Sequence, residues 1–62
     1  MENLSLREAL ERLSDRERHI IEMRFYDGKT QMEVAEEVGI SQAQVSRLEK
    51  NALKSMKNFL GT

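Results

Sequence analysis

Residues 31–50 read Gln31-Met32-Glu33-Val34-Ala35-Glu36-Glu37-Val38-Gly39-Ile40-Ser41-Gln42-Ala43-Gln44-Val45-Ser46-Arg47-Leu48-Glu49-Lys50. A short helix, a tight turn at Gly39-Ile40-Ser41 and a longer helix are the layout of a helix-turn-helix. Each special position has a physical task. Ala35 is small where a second helix must cross closely. Gly39 has the backbone freedom a sharp turn needs. Ser41 is an N-cap that leaves the first N–H groups of the following helix facing outward, where a phosphate can sit. Val34, Val38, Ile40, Val45 and Leu48 are spaced to lock the two helices together.

Working outward, Thr30 and Glu33 form a capping box that opens the third helix, expected over about Gln31 to Glu37. Upstream, Ser14 and Glu17 form another, opening a second helix from about Asp15 to Tyr26. Ile20, Ile21 and Phe25 supply its inner face, and Gly28 follows as its left-handed terminator. A first helix from about Leu4 to Leu13 carries Leu6, Ala9, Leu10 and Leu13 at helical spacing. Downstream, the fourth helix meets no breaker before Gly61. Val45, Leu48, Ala52, Met56 and Phe59 form its inner stripe, flanked by Leu53 and Leu60. The expected fold is all-α: one compact four-helix domain over residues 1–62, with the helix-turn-helix at about 31–50.

Composition narrows the function. The 62 residues contain no Cys and no Pro, so neither a disulfide nor a thiolate zinc site contributes. No apolar run is long enough to span a membrane. The opening Met1-Glu2-Asn3-Leu4-Ser5 lacks a basic segment followed by an apolar one, which is the pattern of a secretory signal. A cytoplasmic location is expected. Net charge is −1, but it is unevenly distributed. From Val38 to Thr62 the charged residues are Arg47, Lys50, Lys54 and Lys57 against Glu49 alone. That segment suits contact with phosphates.

The outer face of the fourth helix reads Gln42, Ala43, Gln44, Ser46, Arg47 and Lys50. These are short or amide side chains with one Arg, unlike the Glu/Lys mixture of a solvated helix. In helix-turn-helix docking the first turns of the second helix enter the major groove. Arg matches guanine, Gln matches adenine, and the Ala methyl matches the thymine methyl. Base contact is therefore expected from Gln42, Ala43 and Arg47. Ser41, Gln44, Ser46 and Lys50 are expected to position the helix on the DNA backbone. The bland reading of Arg47 is a surface ion pair with a nearby acid.

Other residues carry less. His19 stands alone among charges and lacks partners for metal binding or catalysis. Ser5, Ser41 and Ser46 have no plausible base, so no catalytic residue is expected. Glu36-Glu37 reads as a solvated face. Met23, Met32 and Met56 read as core or groove fillers, with Met23 and Met32 alternatively lining a partner surface. The Leu53, Met56, Phe59 and Leu60 stripe reads as closure against the first helix.

Several runs carry a family resemblance. They are Asp15-Arg16-Glu17-Arg18, Arg24-Phe25-Tyr26, Gly28-Lys29-Thr30-Gln31-Met32-Glu33-Val34-Ala35 and Gly39 to Lys50. The chain resembles region 4 of bacterial RNA polymerase sigma factors, most closely the sporulation and general-stress group. That resemblance implies recognition of the promoter −35 element in double-stranded DNA and docking on the β flap of the polymerase core. The flap surface is implied to be apolar and to lie on the earlier helices. An anti-sigma factor is a further implied partner; no cofactor, metal, membrane or small-molecule substrate is implied. The family's base-reading positions fall on Gln42, Ala43 and Arg47. Primary sigma factors usually carry more charged residues at the first two, so a different −35 preference is implied. Two other readings stay open: a protein-interaction module bound by the flap or an anti-sigma factor, and the DNA-binding domain of a response regulator.

Overall fold

A computed structural model describes residues 5–61. It contains four α-helices and no strand among the described residues: α1 (Leu6–Glu11), α2 (Asp15–Ile21), α3 (Gln31–Val38) and α4 (Gln42–Leu60). A π-helical turn, Glu22–Tyr26, continues α2. The expected all-α class and helix-turn-helix are both present. The anticipated start of the first helix at Leu4 lies outside the described residues.

Each helix begins on a reciprocal capping box. Ser5 pairs with Glu8, Ser14 with Glu17, Thr30 with Glu33, and Ser41 with Gln44. In each, the cap side chain accepts from the backbone of the third helical residue. That residue's side chain accepts from the backbone N–H of the cap. Such caps stabilise a helix end by about 1 kcal/mol, a large share of the total for a domain this small. Two helices end on left-handed glycines: Gly39 (φ 81°) after α3 and Gly61 (φ 74°) after α4. At the first of these, the N–H groups of Gly39 and Ile40 both donate to the Ala35 carbonyl, at 2.9 and 3.1 Å. This closure sets the sharp turn between α3 and α4.

The second helix differs from expectation in its last turn. The Asp27 N–H donates to the Glu22 carbonyl at 3.1 Å, five residues back, and the Lys29 N–H to the Met23 carbonyl at 3.0 Å. A π turn advances less rotation per residue than an α turn. A helical wheel drawn at the α period therefore misplaces the residues within it. Met23 points inward and is 2% exposed, whereas Phe25, expected inside, is 54% exposed. Leu6 is likewise turned outward rather than into the core.

Two apolar clusters hold the helices together. Ala9, Leu10, Leu13, Ile21, Ala52 and Met56 join α1, α2 and the later half of α4, with Phe59 and Leu60 packed alongside. Ile20, Met23, Val34, Ala35 and Val45 join α2, the π turn, α3 and the start of α4, with Val38, Ile40 and Leu48 alongside. The neighbours Ile20 and Ile21 thus serve different clusters. α4, about 28 Å long at 1.5 Å per residue, runs through both. Arg12 sits 5.9 Å over the Phe59 ring and reinforces the α1–α4 contact. The stripe on α4 closes against α1 through Met56, Phe59 and Leu60, while Leu53 stays exposed.

Candidate nucleic-acid interface

The second apolar cluster fixes how α4 is presented. Val34 and Val45 are fully buried between α3 and α4, and Ala35 is small enough to let them meet. With Val45 pointing in, the other side of the first turns must point out. Gln42, Ala43, Gln44, Ser46, Arg47 and Lys50 are all exposed. Ala43, Arg47 and Lys50 form one line at i, i+4 and i+7, and Lys54 and Lys57, also exposed, extend it.

The start of α4 is tightly closed. The Gln44 N–H donates to the Ser41 hydroxyl at 3.1 Å, and the Ser41 N–H donates to Gln44 Oε1 at 3.0 Å. The Ser41 hydroxyl also lies 3.3 Å from Gln44 Oε1. Its hydrogen is thus directed within the cap. An anion approaching here meets the backbone N–H groups of the first turn and the Gln44 amide NH2 instead of the serine hydroxyl.

Charge pairing leaves this face available. Three ion pairs form among the described residues: Arg18–Asp15, Arg24–Glu49 and Lys29–Glu37. None uses Arg47, Lys50, Lys54 or Lys57. Glu49, the acid nearest to Arg47 in sequence, faces the other way and is held by Arg24. The surface ion pair that could have occupied Arg47 is absent among the described residues.

One neighbour was not legible from the motif. Arg16, near the start of α2, lines a shallow depression with Gln44, Arg47 and Leu48. It is exposed and has no ion-pair partner among the described residues. Packing of α2 against α4 brings it there, and spacing along the sequence gives no sign of it.

A second feature lies on a different part of the molecule. Leu6, Phe25, Tyr26 and Leu53 wall a groove of about 200 Å³ over Ile21 and Met56, with no polar surface in its lining. Phe25 and Tyr26 are 54% and 63% exposed. Both lie on the π turn. Of the two methionines considered for a partner surface, Met23 is in the core and Met32 is exposed on α3.

The remaining charged groups act locally. Hydrogen bonds from the Thr30 backbone and side chain hold the Glu33 carboxyl below its ordinary range. Lys29 is held above its ordinary value, chiefly by its bond to Glu37. Among the described residues no cluster of His, Asp or Glu is arranged to hold a metal ion. No described helix is long and apolar enough to cross a membrane.

Comparison with known proteins places this geometry in context. Residues 9–58 match the family described as sigma-70, region 4. The chain is 65% identical over 60 residues to the RNA polymerase sigma-G factor of Clostridium acetobutylicum, covering 97% of this chain and 23% of that protein. It is 66% identical over 56 residues to the sigma-G factor of Bacillus subtilis, covering 90% of this chain and 22% of that one. It is 53% identical over 57 residues to the sigma-F factor of Bacillus licheniformis, covering 92% and 22%. The chain thus spans less than a quarter of the length of these relatives.

Proposed function

The chain belongs to the sigma-70 region 4 family, and from that premise we propose that it reads the promoter −35 element in double-stranded DNA. It would do so as the region 4 domain of an RNA polymerase sigma factor, directing transcription initiation, in the sporulation and general-stress group. Its likeness to the sigma-G and sigma-F factors supports that grouping. Membership of this family sets aside the response-regulator alternative. Residues 1–62 are read as one binding domain, not an enzyme.

The observation that carries the reading is the outer face of α4. It is exposed, free of ion pairs among the described residues, and aimed by a buried helix-turn-helix core. Gln42, Ala43 and Arg47 contact base edges in the major groove. Gln44, Ser46 and Lys50 fix the helix on the phosphates. Ser41 contributes by capping, which leaves the N–H groups of the first turn turned toward the backbone. Arg16 adds a cation from α2 beside Arg47.

The apolar groove favours a second contact, with the polymerase core. Four exposed apolar side chains around a nonpolar trough suit one face of an amphipathic helix. We assign it to the β flap. An anti-sigma factor covering the same groove would compete with the flap.

Amide shifts of a ¹⁵N-labelled chain test both contacts. Titration with a short duplex at low salt should move residues 41–50 and Arg16, and Arg47→Ala should remove most of that response. Phe25→Ser should leave the duplex response intact and abolish the response to a β-flap peptide. Duplex titration that leaves residues 41–50 still would refute DNA reading by this face.

A further inference from the structure

Arg24 leaves the π turn and reaches across to α4. Its Nε donates to a carboxylate oxygen of Glu49, and its Nη1 donates to the Lys29 carbonyl at 2.7 Å. The side chains of Arg24 and Glu49 are only 26% and 14% exposed. The other ion pairs are more open. Arg18–Asp15 lies within α2 with Asp15 almost fully exposed, and half of the Glu37 side chain is exposed in Lys29–Glu37. Open pairs of that kind hold little in place. A shielded guanidinium that grips a carboxylate with one arm and a backbone carbonyl with another has a defined direction.

Three segments meet at this side chain: the π turn, the connection before α3, and the middle of α4. Glu49 lies two residues past Arg47, about 200° around the helix. Tying Glu49 to the inside therefore turns Arg47 to the outside. The apolar contacts of Val45 and Ala52 seat α4 and decide which of its faces is inside. The guanidinium–carboxylate bond adds a directional restraint to the rotation about the helix axis that this packing sets. It also places a positive charge beside Glu49, the sole acid between Val38 and Thr62, and so offsets the one negative charge on this otherwise basic helix.

We infer that Arg24 is a positioning residue for DNA reading: through Glu49 it holds α4 at the rotation, set by the apolar core, that aims Gln42, Ala43 and Arg47, and it screens the carboxylate on that helix. This inference rests on the DNA reading proposed above.

The test begins by selecting a preferred duplex from a random pool with the wild-type chain. Affinities for that duplex and a scrambled one are then measured by fluorescence anisotropy. Arg24→Ala, Arg24→Lys, Glu49→Ala and Glu49→Gln are compared at a temperature where circular dichroism shows each fully folded. Glu49→Ala should hold or raise affinity for the scrambled duplex, because it removes a negative charge. It should still lower the preference for the selected duplex about tenfold, the scale of one well-made base contact. Loss of stability alone moves the melting temperature and leaves that preference unchanged in folded protein. Glu49→Gln keeps an acceptor for Nε and should retain most of the preference. Arg24→Lys keeps the charge but not the two-armed grip and should lose it. If Arg24→Ala does not fold, Arg24→Lys and the two Glu49 variants carry the comparison. Folded Glu49→Ala and Arg24→Lys proteins with wild-type preference would overturn the inference while the DNA reading stands. A wild-type chain that enriches no sequence, with Arg47→Ala binding duplex equally well, would overturn the DNA reading and this inference with it.

Discussion

If α4 reads DNA as proposed, the salt dependence of duplex binding follows from the cations exposed around the start of that helix. Arg16, Arg47 and Lys50 are exposed around the start of α4 and have no ion-pair partner among the described residues. If Arg47 spends its contacts on a base, two phosphates are neutralised; if it also touches the backbone, three are. Each neutralised phosphate contributes about −0.9 to the slope of log affinity against log salt, so the expected slope lies between about −1.8 and −2.7. A fourfold rise in potassium chloride, from about 50 to about 200 mM, then weakens binding about 12- to 40-fold. Lys50→Ala should make the slope shallower by about 0.9 and weaken all sequences alike. Arg47→Ala should cost about 1–3 kcal/mol and relax sequence preference at one position. Fluorescence anisotropy on a labelled duplex across a salt series measures all of these. A wild-type slope steeper than about −5 would mean that many more phosphates are neutralised than this face can reach. A slope unchanged by Lys50→Ala but reduced by Lys57→Ala would move the DNA to the other end of α4. Either result refutes the argument.

Two further outcomes follow from packing and protonation. Ile20→Ala empties a fully buried position in the helix-turn-helix cluster. It should cost about 2–5 kcal/mol, enough to leave a domain of this size largely unfolded at room temperature, as urea or thermal melts would reveal. The Glu33 carboxyl is depressed in the folded chain, so its contribution is complete above the unfolded carboxylate pKa and lost as pH falls through the lower, folded one. Amide shifts of Thr30 and Glu33 should report that loss below the ordinary carboxylate range, and Glu33→Gln, which keeps an acceptor without titrating, should abolish the pH response.

Most of the architecture was legible because its signals are local. Ser14, Thr30, Gly39 and the apolar spacing of Val34, Val38, Val45 and Leu48 each dictate backbone or burial within a turn or two. The outer face of α4 was legible for the same reason, since it is the complement of a well-marked inner stripe. What escaped depends on register or on distant packing. Phe25 and Leu6 satisfy an α-helical pattern, yet the π turn and the start of α1 display them beside Tyr26 and Leu53. The capping boxes Ser5–Glu8 and Ser41–Gln44 were readable from the same three-residue spacing as the others. Arg16 and the Arg24–Glu49 bond were not, because contacts between α2, the π turn and α4 have no signature along the chain.

The four capping boxes are not chemically equal. Three are closed by a carboxylate, from Glu8, Glu17 and Glu33, and the fourth by the amide of Gln44. For closing a helix the two groups are nearly interchangeable, and a carboxylate would even favour the positive end of the helix. They differ in what they show an approaching polyanion. The amide spends its oxygen on the cap and keeps two hydrogens to offer outward, so one side chain both finishes the helix and tolerates a phosphate next to it. A glutamate would finish the helix and turn the phosphate away. At this terminus folding would accept either residue, and under the proposed DNA reading it is the neighbouring phosphate that favours the amide.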